Sequence, residues 1–200
     1  GFVLGEGAVA LLLECESGRV RERLGEEGVG AGSSHTPHVT IVASRIANSA
    51  HHGTALDPHH IAATLRRCVD DARGDMTIEE FAARSLYVSH ETCTRSCAHH
   101  EIAALRSVFG DSAPRLRITN TKCYTGHSMG ACVEDVAAVA ALAAQRAPRV
   151  RLGEVDDAFC DLTFCGCDND DGEEGFDFAI HVAMGMGSHV AIVVYGLSKP

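Results

Sequence analysis

The chain has 200 residues, 46% of them hydrophobic, a net charge of −10 and nine cysteines. That charge argues against broad nucleic-acid binding, which needs clustered Lys and Arg to neutralise phosphates. The length suits one domain, or one half of a two-lobed enzyme, able to bury roughly 70% of its unfolded surface without staples, and no apolar run is long enough for a membrane span.

Residues 2–14 read as a turn followed by a continuous apolar run, the pattern of a strand buried on both faces. Residues 16–25 are charged and helix-prone, and residues 25–37 are a Gly/Ser-rich loop. Residues 39–47 alternate as a strand. Asp57-Pro58 then opens a helix, with Asp as cap and Pro at the first position, and Ile61, Ala62, Leu65, Cys68 and Val69 recur at helical spacing. A short helix start at 77–81 precedes a strand at 84–89, a helix at 99–109, a strand at 116–121 and an Ala/Val-rich helix at 130–145. Two closing strands, 176–184 and 189–196, meet at Gly185-Met186-Gly187. Alternating strands and helices predict an α/β fold with a mixed, mainly parallel sheet covered by helices, and no linker divides the chain. The acidic run at 168–174 reads as a solvated loop.

The cysteines are irregularly spaced and odd in number, so they read as packed, reduced thiols in a reducing compartment, cytoplasm or an organelle matrix. Cys93-x3-Cys97-x-His99-His100 has zinc-ligand residue types but not the spacing of common zinc modules. His99 and His100 would also face different sides of a helix. Gly5-x-Gly7 lacks the Gly-Lys-Ser/Thr of a phosphate loop. No metal and no cofactor are expected.

The chemistry-bearing residues concentrate in two segments. Tyr87-Val88-Ser89-His90-Glu91-Thr92-Cys93-Thr94 carries one histidine, with Glu101 following on a helix. Asn120-Thr121-Lys122-Cys123-Tyr124-Thr125-Gly126-His127 carries a lysine and a second histidine. Imidazole N–H groups aimed at one oxygen stabilise negative charge building there, and losing one such donor typically costs about 3 kcal/mol.

These segments resemble the Y-V-x-(A)-H-G-T-G-T and N/S-T-K-x-x-x-G-H motifs of the β-ketoacyl synthases. Residues 1–14 resemble that family's glycine-bearing opening strand, Val133-Glu134-Asp135-Val136 its next helix, and Gly185-Met186-Gly187 its G-F-G-G turn. The resemblance covers most of the chain as the family's C-terminal half. It implies a thiolase-like C-terminal lobe and decarboxylative condensation of acyl and malonyl thioesters in fatty acid or polyketide synthesis. It implies His90 and His127 as the donor pair, Lys122 and Glu101 as a supporting ion pair, and Thr92, Thr94, Gly185, Met186 and Gly187 at the substrate, with Met186 as acyl gate. The helix after His127 would add its positive end. The implied partners are a lobe or homologous subunit bearing the nucleophilic Cys, which the family carries on a segment before Gly1, and an acyl carrier protein.

The pattern also departs from the family. H-G-T-G-T has become His90-Glu91-Thr92-Cys93-Thr94, where each lost Gly is a position of unusual backbone angles or close approach, and an Asp has become Ala98. Two readings therefore stay open: a catalytic lobe completed by the Cys-bearing part, or a non-catalytic structural or chain-length-controlling subunit that reuses the fold. Under either, the face meeting a second lobe is exposed. If about 2,000 Å² of it is apolar, covering it is worth tens of kcal/mol before ordering costs, which predicts an oligomeric or poorly soluble isolated chain.

Overall fold

The computed structural model describes residues 4–13, 38–53, 55–92, 94–130, 133–150, 156–167 and 175–198. The expected helix at 16–25 and loops at 25–37 and 168–174 lie largely or wholly outside them. Strand β1 (His38–Asn48) is followed by helices α1 (Pro58–Arg73) and α2 (Ile78–Ala83), strand β2 (Ser85–Val88) and helix α3 (Arg95–Phe109). Then come β3 (Arg117–Thr119), the short α4 (Lys122–Thr125), α5 (Val133–Ala144), β4 (Thr163–Phe164), β5 (Phe178–Gly185) and β6 (His189–Ser198).

The strands form one six-stranded sheet in the order β1-β6-β5-β2-β3-β4. Pairs β2/β3, β2/β5 and β3/β4 are parallel, whereas β6 runs antiparallel to both neighbours, so β6 alone reverses direction. The mixed, mainly parallel α/β sheet read from the sequence is the one observed.

Local chemistry starts the helices where expected. Asp57 caps α1 by accepting from the His59 N–H at 2.9 Å, with Pro58 in the first turn, and Ile61, Ala62, Leu65, Cys68 and Val69 are all buried. Thr77 and Glu80 form a reciprocal capping box at α2. Helix α3 begins at Arg95, earlier than its apolar pattern suggests. Strand β4 was not anticipated, because two residues carry no readable period.

Side-chain alternation divides the sheet into two packed faces. Tyr87, Ile118, Ile180, Val182, Ile192 and Val194 pack against α1, α2 and α3. Leu86, Val88, Ala179 and Tyr195 face the other way, onto Ala138 and Leu142 of α5. This parity decides where the functional side chains go.

One expectation fails. The strand expected at 2–14 is not buried on both faces over its described part: residues 4–13 make a single parallel bridge, Leu4 with His127, and Leu12 is 87% exposed. A continuous apolar run asks for cover, and the described residues of this chain do not supply it. No helix among them is long and apolar enough to cross a membrane.

Candidate active site

The site lies at the ends of β2 and β3. Alternation past Val88 sends Tyr87 and Ser89 to the α3 side, and His90, which shares the parity of Leu86 and Val88, to the α5 side. On the α3 side, Glu101 is 1% exposed. Its carboxylate accepts from Tyr87 OH at 3.1 Å, Ser89 OH at 3.0 Å and the His90 backbone N–H at 2.9 Å. Burial pushes its pKa up to about 7, against the lowering effect of these donors.

On the α5 side the His90 and His127 rings meet edge to face, 5.3 Å between centroids at 85°. Burial, then the Lys122, His127 and His181 charges, lower the His90 pKa to about 3, so its ring is neutral at neutral pH. Burial and Lys122 also lower His127. His127 Nδ1 accepts from the Met129 N–H at 3.2 Å, so a neutral His127 carries its proton on Nε2. The site thus offers an imidazole N–H donor at His127 Nε2 beside a second neutral imidazole, which is what a developing oxyanion requires.

Lys122 corrects the expected ion pair. Its Nζ lies 2.6 Å from Glu134 Oε1, with side-chain exposures of 4% and 8%, and it does not pair with Glu101. The reason is topological: Glu101 sits on the opposite face of the sheet with its oxygens already engaged, whereas Glu134 enters from the first turn of α5 on the Lys122 side. Glu101 supports His90 through the backbone instead. Thr121 OH also donates to Glu134 Oε1 at 3.5 Å. Burial pushes Glu134 up, but the Lys122 hydrogen bond and charge outweigh it and hold the carboxyl below its usual range. Sequence reasoning missed Glu134 as a site residue, although it quoted the Val133-Glu134-Asp135-Val136 stretch. The signal was available: a lone Lys and a Glu both in apolar surroundings need each other.

The described part of α5 begins at Val133, six residues beyond His127, so among the described residues it is not a helix end that holds this loop. Backbone contacts hold His127 instead. The Gly5 N–H donates to the His127 carbonyl at 3.1 Å. Gly126 caps α4 at φ 68°, and a Cβ on Gly5 would sit 1.9 Å from the Thr125 carbonyl oxygen, so only glycine permits this approach.

Glu91, in the place of a family glycine, is not among the positive-φ residues, so the expected backbone strain is absent there. Its Oε1 accepts from the Thr94 N–H at 2.8 Å, doing the capping work at α3 that the Thr94 side chain does not do. Thr92 and Thr94 hydroxyls bond each other at 3.2 Å. Cys93 lies outside the described residues. Gly185, Met186 and Gly187 lie beyond the end of β5 that pairs with β2. They form the β5–β6 hairpin tip, held to the 49–53 loop through Gly187 N–H to the Gly53 carbonyl at 2.8 Å, with Met186 68% exposed. Among the described residues, Glu91, Cys97 and Glu101 place possible metal-ligand atoms within 4.8 Å of one another. They fit a metal poorly: the Glu101 oxygens serve three donors, and burial pushes the Cys97 thiol up to about 12.

The profile described as "Beta-ketoacyl synthase, C-terminal domain" matches residues 38–151. The chain is 32% identical over 167 residues to 3-oxoacyl-[acyl-carrier-protein] synthase 2 of Coxiella burnetii, covering 82% of this chain and 37% of that protein. It is similar in structure to the ishigamide ketosynthase/chain length factor, with TM-score 0.64 and 25% identity, covering 78% of this chain and 37% of that one. It is also similar in fold to a ketosynthase solved in complex with its type II polyketide acyl carrier protein, with TM-score 0.66 and 21% identity, covering 79% and 38%. The chain therefore spans less than half the length of these relatives.

Proposed function

Since this chain belongs to the β-ketoacyl synthase family, we propose that it works as the C-terminal, histidine-bearing lobe of a condensing enzyme that joins acyl and malonyl thioesters with loss of carbon dioxide. One observation carries the reading: two neutral imidazoles converge at 5.3 Å beside a buried, carboxylate-held lysine. In this role the His90 and His127 N–H groups bind the malonyl thioester oxygen. As the carboxylate leaves, charge moves onto that oxygen, and donors fixed in advance stabilise it without reorganising. Lys122, locked by Glu134, holds the loop that presents His127, and burial, with the Lys122 charge added, keeps both rings neutral. Glu101 fixes the His90 backbone.

The nucleophilic Cys comes from a complementary lobe or a homologous subunit, and the thioesters arrive on an acyl carrier protein. The uncovered apolar residues Leu4, Leu12, Leu13, Ile41, Val42 and Ile46 support a partner surface, as homo- or hetero-oligomer. The test is malonyl-thioester decarboxylation by the chain assembled with its Cys-bearing complement. His127→Ala should slow it about 100-fold or more, the cost of one such donor. An unchanged rate refutes the assignment.

A second reading is favoured by the residues that depart from the family motifs, Glu91 in the place of a glycine and the 68% exposed Met186 in the place of a phenylalanine. In that reading the chain is a structural or chain-length-controlling subunit. It then contributes no turnover, and the assembled complex decarboxylates at the same rate with His90 and His127 both replaced.

A further inference from the structure

Strand β5 brings a third imidazole to the same end of the sheet. His181 pairs in parallel register with Val88, and His90 lies two residues beyond Val88 on the same α5-facing side. Adjacent strands are about 4.8 Å apart and each residue advances about 3.3 Å, so the His90 and His181 side chains rise from neighbouring positions. A charge on His181 accordingly acts on both His90 and Glu134.

His181 is 6% exposed, and its Nδ1 lies 2.7 Å from Asp135 Oδ1 on α5. Tyr195 OH donates to that same oxygen at 2.9 Å. An ionised carboxylate only accepts, so His181 Nδ1 carries a proton, and Nε2 of the neutral ring keeps its lone pair on the side away from Asp135. Among the described residues Nε2 has no hydrogen-bond partner. An imidazole oriented this way by a carboxylate presents its second ring nitrogen as a proton acceptor. Packing alone does not call for it: the flanking same-face positions on β5 are Ala179 and Ala183.

We propose that His181 is a carbon-acid base of this site, with Asp135 as its positioning residue: it removes the proton from the carbon next to the carbonyl of an acyl thioester whose oxygen rests on the His90 and His127 N–H groups. The inference rests on the thioester reading given above. The α C–H bond breaks and its proton goes to His181 Nε2. The C–H electron pair becomes the enolate double bond, and the carbonyl π pair moves to the oxygen held by the two donors. Return of a proton from Nε2 restores the thioester. Neither a Cys nucleophile nor a departing carboxylate takes part, so a thioester without a malonyl carboxylate serves.

The experiment follows α-proton loss by NMR when the chain is incubated in deuterium oxide with the N-acetylcysteamine thioester of butyric acid. Exchange should exceed the buffer rate at least tenfold, fall to background in His181→Gln, fall in Asp135→Asn and recover in Asp135→Glu, with circular dichroism showing each variant folded. Imidazole 15N spectra should show His181 protonated at Nδ1 and not at Nε2, an arrangement lost in Asp135→Asn. No exchange by the wild type, undiminished exchange in folded His181→Gln, or a proton on Nε2 overturns the proposal. Thioester hydrolysis without exchange overturns it too, since the base then serves water. Decarboxylation by the assembled complex without exchange removes this inference alone, whereas failure of both removes the thioester reading as well.

Discussion

Replacing Glu134 by Leu strands Lys122 in a site where its side chain is 4% exposed. At 2.6 Å the pair's mutual attraction is roughly 6 kcal/mol at an effective dielectric of 20. Part of that offsets the cost of taking both ions out of water, so what matters is the penalty for removing one partner, about 3–5 kcal/mol. Glu134→Leu should therefore lose about 3–5 kcal/mol in urea denaturation at pH 7, or about 6–20 °C in Tm at about 2–4 °C per kcal/mol for a domain of this size. The double replacement Lys122→Met, Glu134→Leu should recover most of the loss, because an apolar pair leaves no buried charge. Electrostatics adds a signed check. Lys122 lowers the His127 pKa and Glu134 raises it, so NMR titration should show His127 rising in Lys122→Met and falling further in Glu134→Leu. A single-variant loss under about 1 kcal/mol, no recovery in the double variant, or His127 shifts of the same sign refutes the buried-pair argument.

Glu101 gives the opposite pH signature to a salt-bridged acid. Its folded pKa of about 7 exceeds the ordinary glutamate value of 4.5, so between those values the native state holds a proton that the unfolded state has lost. Its contribution to stability therefore falls as pH rises from about 4.5 to about 7 and is level outside that window, by about 3 kcal/mol in all at 1.36 kcal/mol per unit. Glu101→Gln should flatten that part of the stability–pH curve measured by urea titration, and an unchanged slope contradicts the assignment. Gly5→Ala forces a Cβ to 1.9 Å from the Thr125 carbonyl oxygen, so it should break the Gly5–His127 backbone bond, move the His127 ring resonances and cost about 1–3 kcal/mol; resonances identical to wild type dispose of the contact. Sedimentation of the isolated chain should show self-association through Leu12, Leu13 and Ile46, relieved by Leu12→Lys with Leu13→Lys, and a clean monomer before substitution counts against an apolar partner surface.

What the sequence determined by itself was whatever local physics controls. Asp57-Pro58 and the Ile61, Leu65, Cys68 spacing specify α1, since a cap and a 3.6-residue period act within a few turns. The resemblance carried by the motifs around His90, Lys122 and His127 implied a shared site, and the His90 and His127 rings do meet. Tertiary structure alone decided the partners. Whether Lys122 meets Glu101 or Glu134 depends on which sheet face each side chain leaves from, and that parity is set by strand register between segments far apart in the chain. His181 reaches the site only because β5 lies beside β2, a pairing no local pattern encodes. The run at 4–13 shows the same division: hydrophobicity states that a segment must be covered, and only the assembled fold states by what, which here is nothing among the described residues of this chain.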